Sequence, residues 1–210
     1  MPLTPSRPAP SPWTEPQLIV HPEAILPTLP DGDLWVFAYG SLLWRPGFAY
    51  LQQLPARLFG YHRALCVWSH VHRGTSARPG MVLGLDRGGS CRGCLYRVAA
   101  QHKQAVADYL YAREMPTRIY HASICTVQAA DGQSVNALTF VVNRQDPQYA
   151  GRLAACDAAA QVADACGLSG SSRDYLRQTL AHLEQLQIHD QHLLEIDQAL
   201  RQRAEPESVG

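Results

Sequence analysis

Apolar and polar positions change rhythm once along this chain. From residue 34 to residue 142 the apolar side chains fall in short runs rich in Val, Leu, Tyr and Phe, broken by Gly, Asp and Ser clusters. That is the rhythm of strands and turns. It predicts strands over 34–39, 56–68, 81–85, 91–98, 120–128 and 134–142. The last two flank Ala129-Ala130-Asp131-Gly132-Gln133, and Asp-Gly marks a hairpin. One stretch, 101–114, has helical spacing instead and stops before Pro116. From residue 152 onward helical spacing takes over, over 152–166, 172–186 and 190–203. Gly167 reads as a helix C-cap, and Ser171 or Ser172 as an N-cap. Strands first and helices last indicate an α+β fold. Six strands with one interposed helix suit a curled sheet or a small barrel.

The rest of the chain is punctuation. Residues 1–30 hold nine of the fifteen prolines, which remove backbone donors and disfavour helix. They read as an extended Pro-rich arm, which Trp13 and Leu18-Ile19-Val20 would let lie on a surface in places. Residues 31–203 form the domain, and 204–210 a C-terminal tail. Among 210 residues, Lys+Arg and Asp+Glu balance at 18 each, and 46% are apolar. A core of ordinary size is expected, without disulfides or metal. Balanced charge leaves no footprint for nucleic acid and no polybasic membrane patch, so a small-molecule ligand is the default. No apolar run approaches the ~20 residues that span a bilayer. Met1-Pro2-Leu3-Thr4-Pro5-Ser6-Arg7 lacks the order of a signal peptide. A cytoplasmic protein is expected, with its six cysteines as reduced and mostly buried thiols.

Two features carry candidate chemistry. Tyr39-Gly40-Ser41-Leu42-Leu43-Trp44 follows the first strand directly. Gly40 is expected to turn the backbone with positive φ and to admit a ligand closely. Free amides in such a turn form a nest for an anion such as a carboxylate. The plainer reading is an ordinary strand-ending turn, since Gly and Ser dominate turns. The second feature is Glu114. Val106, Leu110 and Glu114 stand four apart, on one face of the 101–114 helix. If that face packs on the sheet, the carboxylate points inward from the last helical turn. Burial and the helix dipole then both raise its pKa toward the range of a general base. The plainer readings are a salt bridge with Arg113, Arg118 or Arg97, or exposure at a frayed end.

Other motifs say less. His70-x-His72 puts two rings on one face of a strand, but no third ligand stands at a suitable spacing. Cys91-Arg92-Gly93-Cys94 lacks the second pair of a zinc site and opens a strand, so buried thiols are the reading. Tyr-Gly-Ser-Leu around Ser41 is not a nucleophile elbow. The loops at Arg73-Gly74-Thr75, Arg78-Pro79-Gly80 and Asp86-Arg87-Gly88-Gly89-Ser90 match no phosphate or dinucleotide fingerprint.

Taken in order, these pieces resemble the ChaC family of γ-glutamylcyclotransferases, in its glutathione-specific branch. The resemblance rests on the stretch from Trp35 to Phe48, on Gly60-Tyr61-His62-Arg63, and on Trp68-Ser69 with His72-Arg73-Gly74-Thr75. It continues through the stretch from Pro79 to Leu85, Gly88 to Gly93, Tyr96-Arg97-Val98 and Leu110 to Met115, and ends in Asp174-Tyr175-Leu176. It covers roughly residues 34–200. Ala38 stands where the family often has Gly, and Leu43 where Ile is common. The resemblance implies a small mixed β-barrel flanked by helices. It implies that Tyr39, Gly40, Ser41, Leu42, Leu43 and Trp44 form the substrate-binding turn, with Arg73 and Tyr175 as further pocket residues. Glu114 is implied as catalytic acid/base. The implied substrate is glutathione, released as 5-oxoproline and Cys-Gly, without metal or organic cofactor. Alternatives are a cyclotransferase for other γ-glutamyl amino acids or amines, a non-catalytic γ-glutamyl sensor that regulates ion transport, and a thiol or metal protein.

Overall fold

The computed structural model describes residues 26–204. The proline-rich arm lies outside the described residues up to position 25, as does the tail from position 205. The strands are β1 Leu34–Ala38, β2 Gln52–Ser69, β3 Gly80–Val98, β4 Tyr120–Ala129 and β5 Ser134–Val142. They close a barrel in the order β1-β3-β2-β4-β5. Among the described residues there are four α-helices: α1 Lys103–Glu114, α2 Ala155–Ala163, α3 Ser172–Gln185 and α4 Gln191–Ala204. Two short strands, β6 Cys166–Gly167 and β7 Gly170–Ser171, pair with each other. The α+β reading and the small barrel therefore hold.

The chain divides into two compact units, Met1–His62 with Arg87–Asn143, and Arg63–Asp86 with Arg144–Gly210. In the first unit β1 runs antiparallel to β3, with Leu34 opposite Val98 and Ala38 opposite Cys94. It also pairs in parallel with β5, through Trp35 and Val36 against Ala137 and Leu138. The β4–β5 hairpin turns at Asp131-Gly132, with Ala129 N–H donating to Gln133 O at 2.8 Å, as the Asp-Gly signal indicated. Leu34, Val36, Phe37, Leu95 and Leu138 are fully buried, so side chains fill the barrel rather than a channel.

Helix α1 has no side-chain N-cap. Its place is set by packing, because Val106, Ala107, Leu110 and Tyr111 are all buried at helical spacing. Each large side chain so buried contributes about 1.5–3 kcal/mol. Met115 N–H donates to Tyr111 O at 2.9 Å and closes the last turn ahead of Pro116.

Two expectations need correction. The strands expected at 81–85 and 91–98 are one strand, β3, which runs through the Gly88-Gly89 cluster. Gly88 and Gly89 have φ of 102° and 68°, so the ribbon kinks there without ending, as at a bulge. Five strands thus make the barrel, not six. Gly167 does not cap α2, which ends at Ala163 and is capped by Asp164; Gly167 lies in β6. The Ser171 cap holds, with Ser171 Oγ accepting from Asp174 N–H at 3.0 Å.

In the second unit α2 packs against α4 and α3. The buried faces are Ala158, Ala159 and Val162 of α2, Leu176 and Leu183 of α3, and Leu193, Ile196 and Leu200 of α4. Arg63 pairs with Asp190 at 3.2 Å, with both side chains largely out of water. Cys66, Cys91 and Cys94 are buried free thiols, whereas Cys156 and Cys166 are exposed. The expectation of mostly buried thiols therefore holds for β2 and β3 and not for the residues 156 and 166.

Candidate active site

The first unit brings together both features picked out from the sequence. Directly after β1, residues Ser41–Leu43 form a single 3-10 turn. Leu43 N–H donates to Gly40 O at 2.9 Å, and Arg45 N–H to Ser41 O at 2.9 Å. Gly40 itself has φ −129° and ψ −131°, so the expected positive φ is not what makes the turn. Its tightness comes from the 3-10 bonds of Leu43 N–H to Gly40 O and Trp44 N–H to Ser41 O, with the Arg45 bond closing the next turn. Among the described residues, the Ser41 and Leu42 amides take part in no turn hydrogen bond. Two adjacent donors are thus left over, as a nest requires.

The turn is anchored from below. Tyr39 is buried and its hydroxyl donates to Phe140 O of β5 at 3.0 Å. Leu42 and Leu43 are buried, and Trp44 closes the turn. The Tyr96 hydroxyl, on β3, donates to Leu42 O at 3.3 Å and to Leu43 O at 3.1 Å. Tyr96 is wedged in turn by Phe48 edge-on, with ring centroids 5.8 Å apart, and by Tyr50. Burial pushes its phenol well above the ordinary tyrosine range, so it is a permanent donor. Two buried carbonyls held by one buried hydroxyl leave the turn little freedom.

Glu114 is the last residue of α1, and four-fifths of its side chain is withdrawn from solvent, with 19% exposed. Burial raises its carboxyl above the ordinary range, and the Arg113 guanidinium partly opposes that rise. Arg113 Nε lies 3.0 Å from Glu114 Oε1. The sequence left open a salt bridge or an inward carboxylate; the salt bridge with Arg113 forms, and the carboxylate is largely withdrawn from water. Arg97, another candidate partner, is committed to Asp33 at 2.7 Å.

Arg113 also touches the turn. Its Nη2 donates to Ser41 Oγ at 3.0 Å, and its Nη1 donates to Arg45 O at 2.6 Å and Tyr109 Oη at 3.0 Å. Ser41 thus faces a cation that cannot accept a proton, which suits a binding hydroxyl and not a nucleophile. Gly47 has φ 76°, and a side chain there would strike the Tyr109 hydroxyl. Arg113, Tyr96, Tyr109 and Gly47 were not picked out as site residues from the sequence. The four-residue spacing of Tyr109 and Arg113 on a helix was the readable signal.

Arg73 and Tyr175 lie in the second unit. The Arg73 guanidinium sits 5.1 Å from the Tyr175 ring centroid, and its Nη1 donates to Ser169 O at 2.6 Å. The Tyr175 hydroxyl accepts from Leu83 N–H at 3.3 Å. His72 Nδ1 and Ser169 Oγ are 3.1 Å apart. Burial and the neighbouring Arg73 hold the His72 ring below the usual imidazole range, so it is neutral near pH 7.

Comparison with known proteins extends the picture. A family model described as ChaC-like protein matches residues 34–203. A glutathione-specific gamma-glutamylcyclotransferase of Escherichia coli (strain K12) is 33% identical over 182 residues, spanning 86% of this chain and 79% of that one. The glutathione-specific gamma-glutamylcyclotransferase 1 of Homo sapiens is 36% identical over 180 residues, 81% of each. A crystal structure of a gamma-glutamyl cyclotransferase specific to glutathione from yeast aligns with a TM-score of 0.75 at 21% identity. It covers 82% of this chain and 97% of the other. That last likeness is one of fold.

Proposed function

The chain belongs to the ChaC-like family and has the γ-glutamylcyclotransferase fold, and from that premise we propose that it cyclises the γ-glutamyl group of glutathione, releasing 5-oxoproline and Cys-Gly. The observation that carries the reading is the inward carboxylate of Glu114, joined through one guanidinium to a turn with two unused amides. The relatives' printed activity supplies the substrate class.

The chemistry asks little beyond orientation and proton traffic. The substrate's α-nitrogen forms a bond to its own γ-carbonyl carbon, and the bond from that carbon to the cysteinyl nitrogen breaks. The α-ammonium sheds two protons on its way to the lactam N–H, and both end on the departing nitrogen, which leaves as the Cys-Gly ammonium, so no water and no electrons are consumed. Ring closure is intramolecular, so holding the folded conformer removes most of the entropic barrier. In this reading the Ser41 and Leu42 amides hold the glutamyl end and, with neighbouring donors, the developing oxyanion. Glu114, its pKa raised by burial, takes one proton from the α-ammonium to free its lone pair for attack and delivers it to the leaving nitrogen; the second proton leaves the attacking nitrogen as the C–N bond breaks and follows by the same carboxylate. Tyr39, Gly40, Leu43 and Trp44 shape the turn, and Arg73 and Tyr175 are assigned as further binding groups. A cytoplasmic setting fits this reading, and no helix among the described residues is long and apolar enough to cross a membrane.

The test is direct. The purified full chain is incubated with glutathione, with γ-glutamyl amino acids and with γ-glutamyl amines, and 5-oxoproline is measured. Turnover of glutathione above the others is expected. Turnover of other γ-glutamyl compounds alone reassigns the substrate. Tight glutathione binding without any 5-oxoproline makes the chain a sensor.

A further inference from the structure

We propose that Arg113 is a positioning residue, a single guanidinium that fixes the substrate-binding turn and the Glu114 carboxylate in one relative geometry. The proposal rests on the cyclotransferase reading and deepens it. All the groups concerned lie in the first unit.

A guanidinium carries five N–H donors in a planar fork. Here each of its nitrogens has work. Nε meets Glu114 Oε1 at 3.0 Å, and Nη2 meets Ser41 Oγ at 3.0 Å. Nη1 meets Arg45 O at 2.6 Å, Tyr109 Oη at 3.0 Å and Pro46 O at 3.4 Å. Three of these five partners, Ser41, Arg45 and Pro46, belong to the turn or the residues just after it. A cation that served only to close the helix C-terminus would spend its donors on helix carbonyls. This one spends none there.

The reaction explains why such a clamp has value. Closing a ring depends on the position of the attacking nitrogen relative to both its carbonyl and its base. The turn holds the carbonyl end and Glu114 is the base, and the two sit on different elements. A misplacement of ~1 Å between them costs about 100-fold in rate. Lysine cannot replace the fork, because an ammonium is a compact point charge on a flexible stem. The ionisable groups that face this pair are few. The charge beside Glu114 is that of Arg113, and the group beside Arg113 is the Tyr109 phenol. Gly47 leaves the space that this phenol fills.

The experiment uses Arg113→Lys and Arg113→Ala in the full chain. It records kcat, KM, thermal midpoint and the hydrogen exchange of the amides of residues 41–45. For Arg113→Lys we expect a folded protein whose kcat falls about 10–100-fold with a smaller change in KM. For Arg113→Ala we expect a similar loss, partly restored by millimolar guanidinium ion, and faster exchange in the turn. A wild-type kcat in the lysine variant overturns the proposal. So does a loss that only tracks the unfolded fraction and is not restored by guanidinium. If the unaltered chain makes no 5-oxoproline, the reading of the preceding subsection fails. The clamp is then judged by exchange alone, and unchanged exchange at residues 41–45 sinks it.

Discussion

Arg113 Nε and Glu114 Oε1 meet at 3.0 Å although the two residues are consecutive on a helix. Side chains at successive helical positions diverge by about 100° and do not normally face each other. The contact forms here because α1 ends at Glu114, and the turn carbonyls draw the Arg113 fork around the helix end. A carboxylate and the cation paired with it are therefore adjacent in the gene and tied in space.

Replacing Glu114 by Gln keeps the shape and removes the carboxylate that the proposed mechanism uses as its proton carrier. Release of 5-oxoproline from glutathione is expected to fall by about 10²–10⁴-fold, the usual contribution of a positioned acid/base. Circular dichroism is expected to show an unchanged fold. Full activity in this variant removes Glu114 from the mechanism.

Stability should carry the signature of the same carboxyl. Its pKa in the folded chain is raised above the ordinary 4.5 by burial. Between that ordinary value and the folded value the native state holds a proton that the unfolded chain has released. The contribution of Glu114 is thus fully present below about 4.5 and is lost as pH rises through the folded value. Thermal midpoints measured across this range should decline more steeply for the unaltered chain than for Glu114→Gln. At neutral pH the variant should be no less stable. The acid limb of kcat/KM is expected to lie above the ordinary glutamate range for the same reason.

Tyr96→Phe tests the anchoring of the turn. It leaves the Leu42 and Leu43 carbonyls without the hydroxyl that serves them both. A stability loss of about 1–3 kcal/mol is expected by chemical denaturation. KM for glutathione should rise, because the ring remains but the turn is no longer held. An unchanged KM means that the turn is held by its own backbone bonds.

In the second unit, Tyr175→Phe removes the acceptor of Leu83 N–H, and Arg73→Lys removes the flat stack on the Tyr175 ring. Each is expected to cost about 1–3 kcal/mol of stability. If these residues also bind substrate, KM rises in the folded variants. A KM that stays fixed while stability falls assigns both residues to the scaffold alone.

Much of this was legible from residue order. The spacing of Val106, Leu110 and Glu114 turned the carboxylate inward because a three-turn face has one direction to point. Asp131-Gly132 announced its hairpin through local turn chemistry, and Ser171 its helix through a local cap. What escaped was non-local or had two local meanings. Gly88-Gly89 looks like a loop because glycine serves loops and bulges alike, and only the neighbouring strands decide between them. Tyr96 reads as one more strand aromatic until Leu42 and Leu43, more than fifty positions away, present their carbonyls. Arg113 was one of three possible partners for Glu114, since nothing local says which arginine the turn will reach.

The parallel seam between β1 and β5 has a consequence for how the protein is made. Tyr39, at the start of the turn, is fastened to Phe140, a residue 101 positions later. The earliest-synthesised of the barrel's described strands is thus completed by the last of them. Until residue 142 has emerged the turn that follows β1 has no floor, and loop closure over such a span is slow. A nascent or truncated chain ending before β5 would carry both Ser41 and Glu114 and still have no site. The turn gains its floor with the closing strand, and not before.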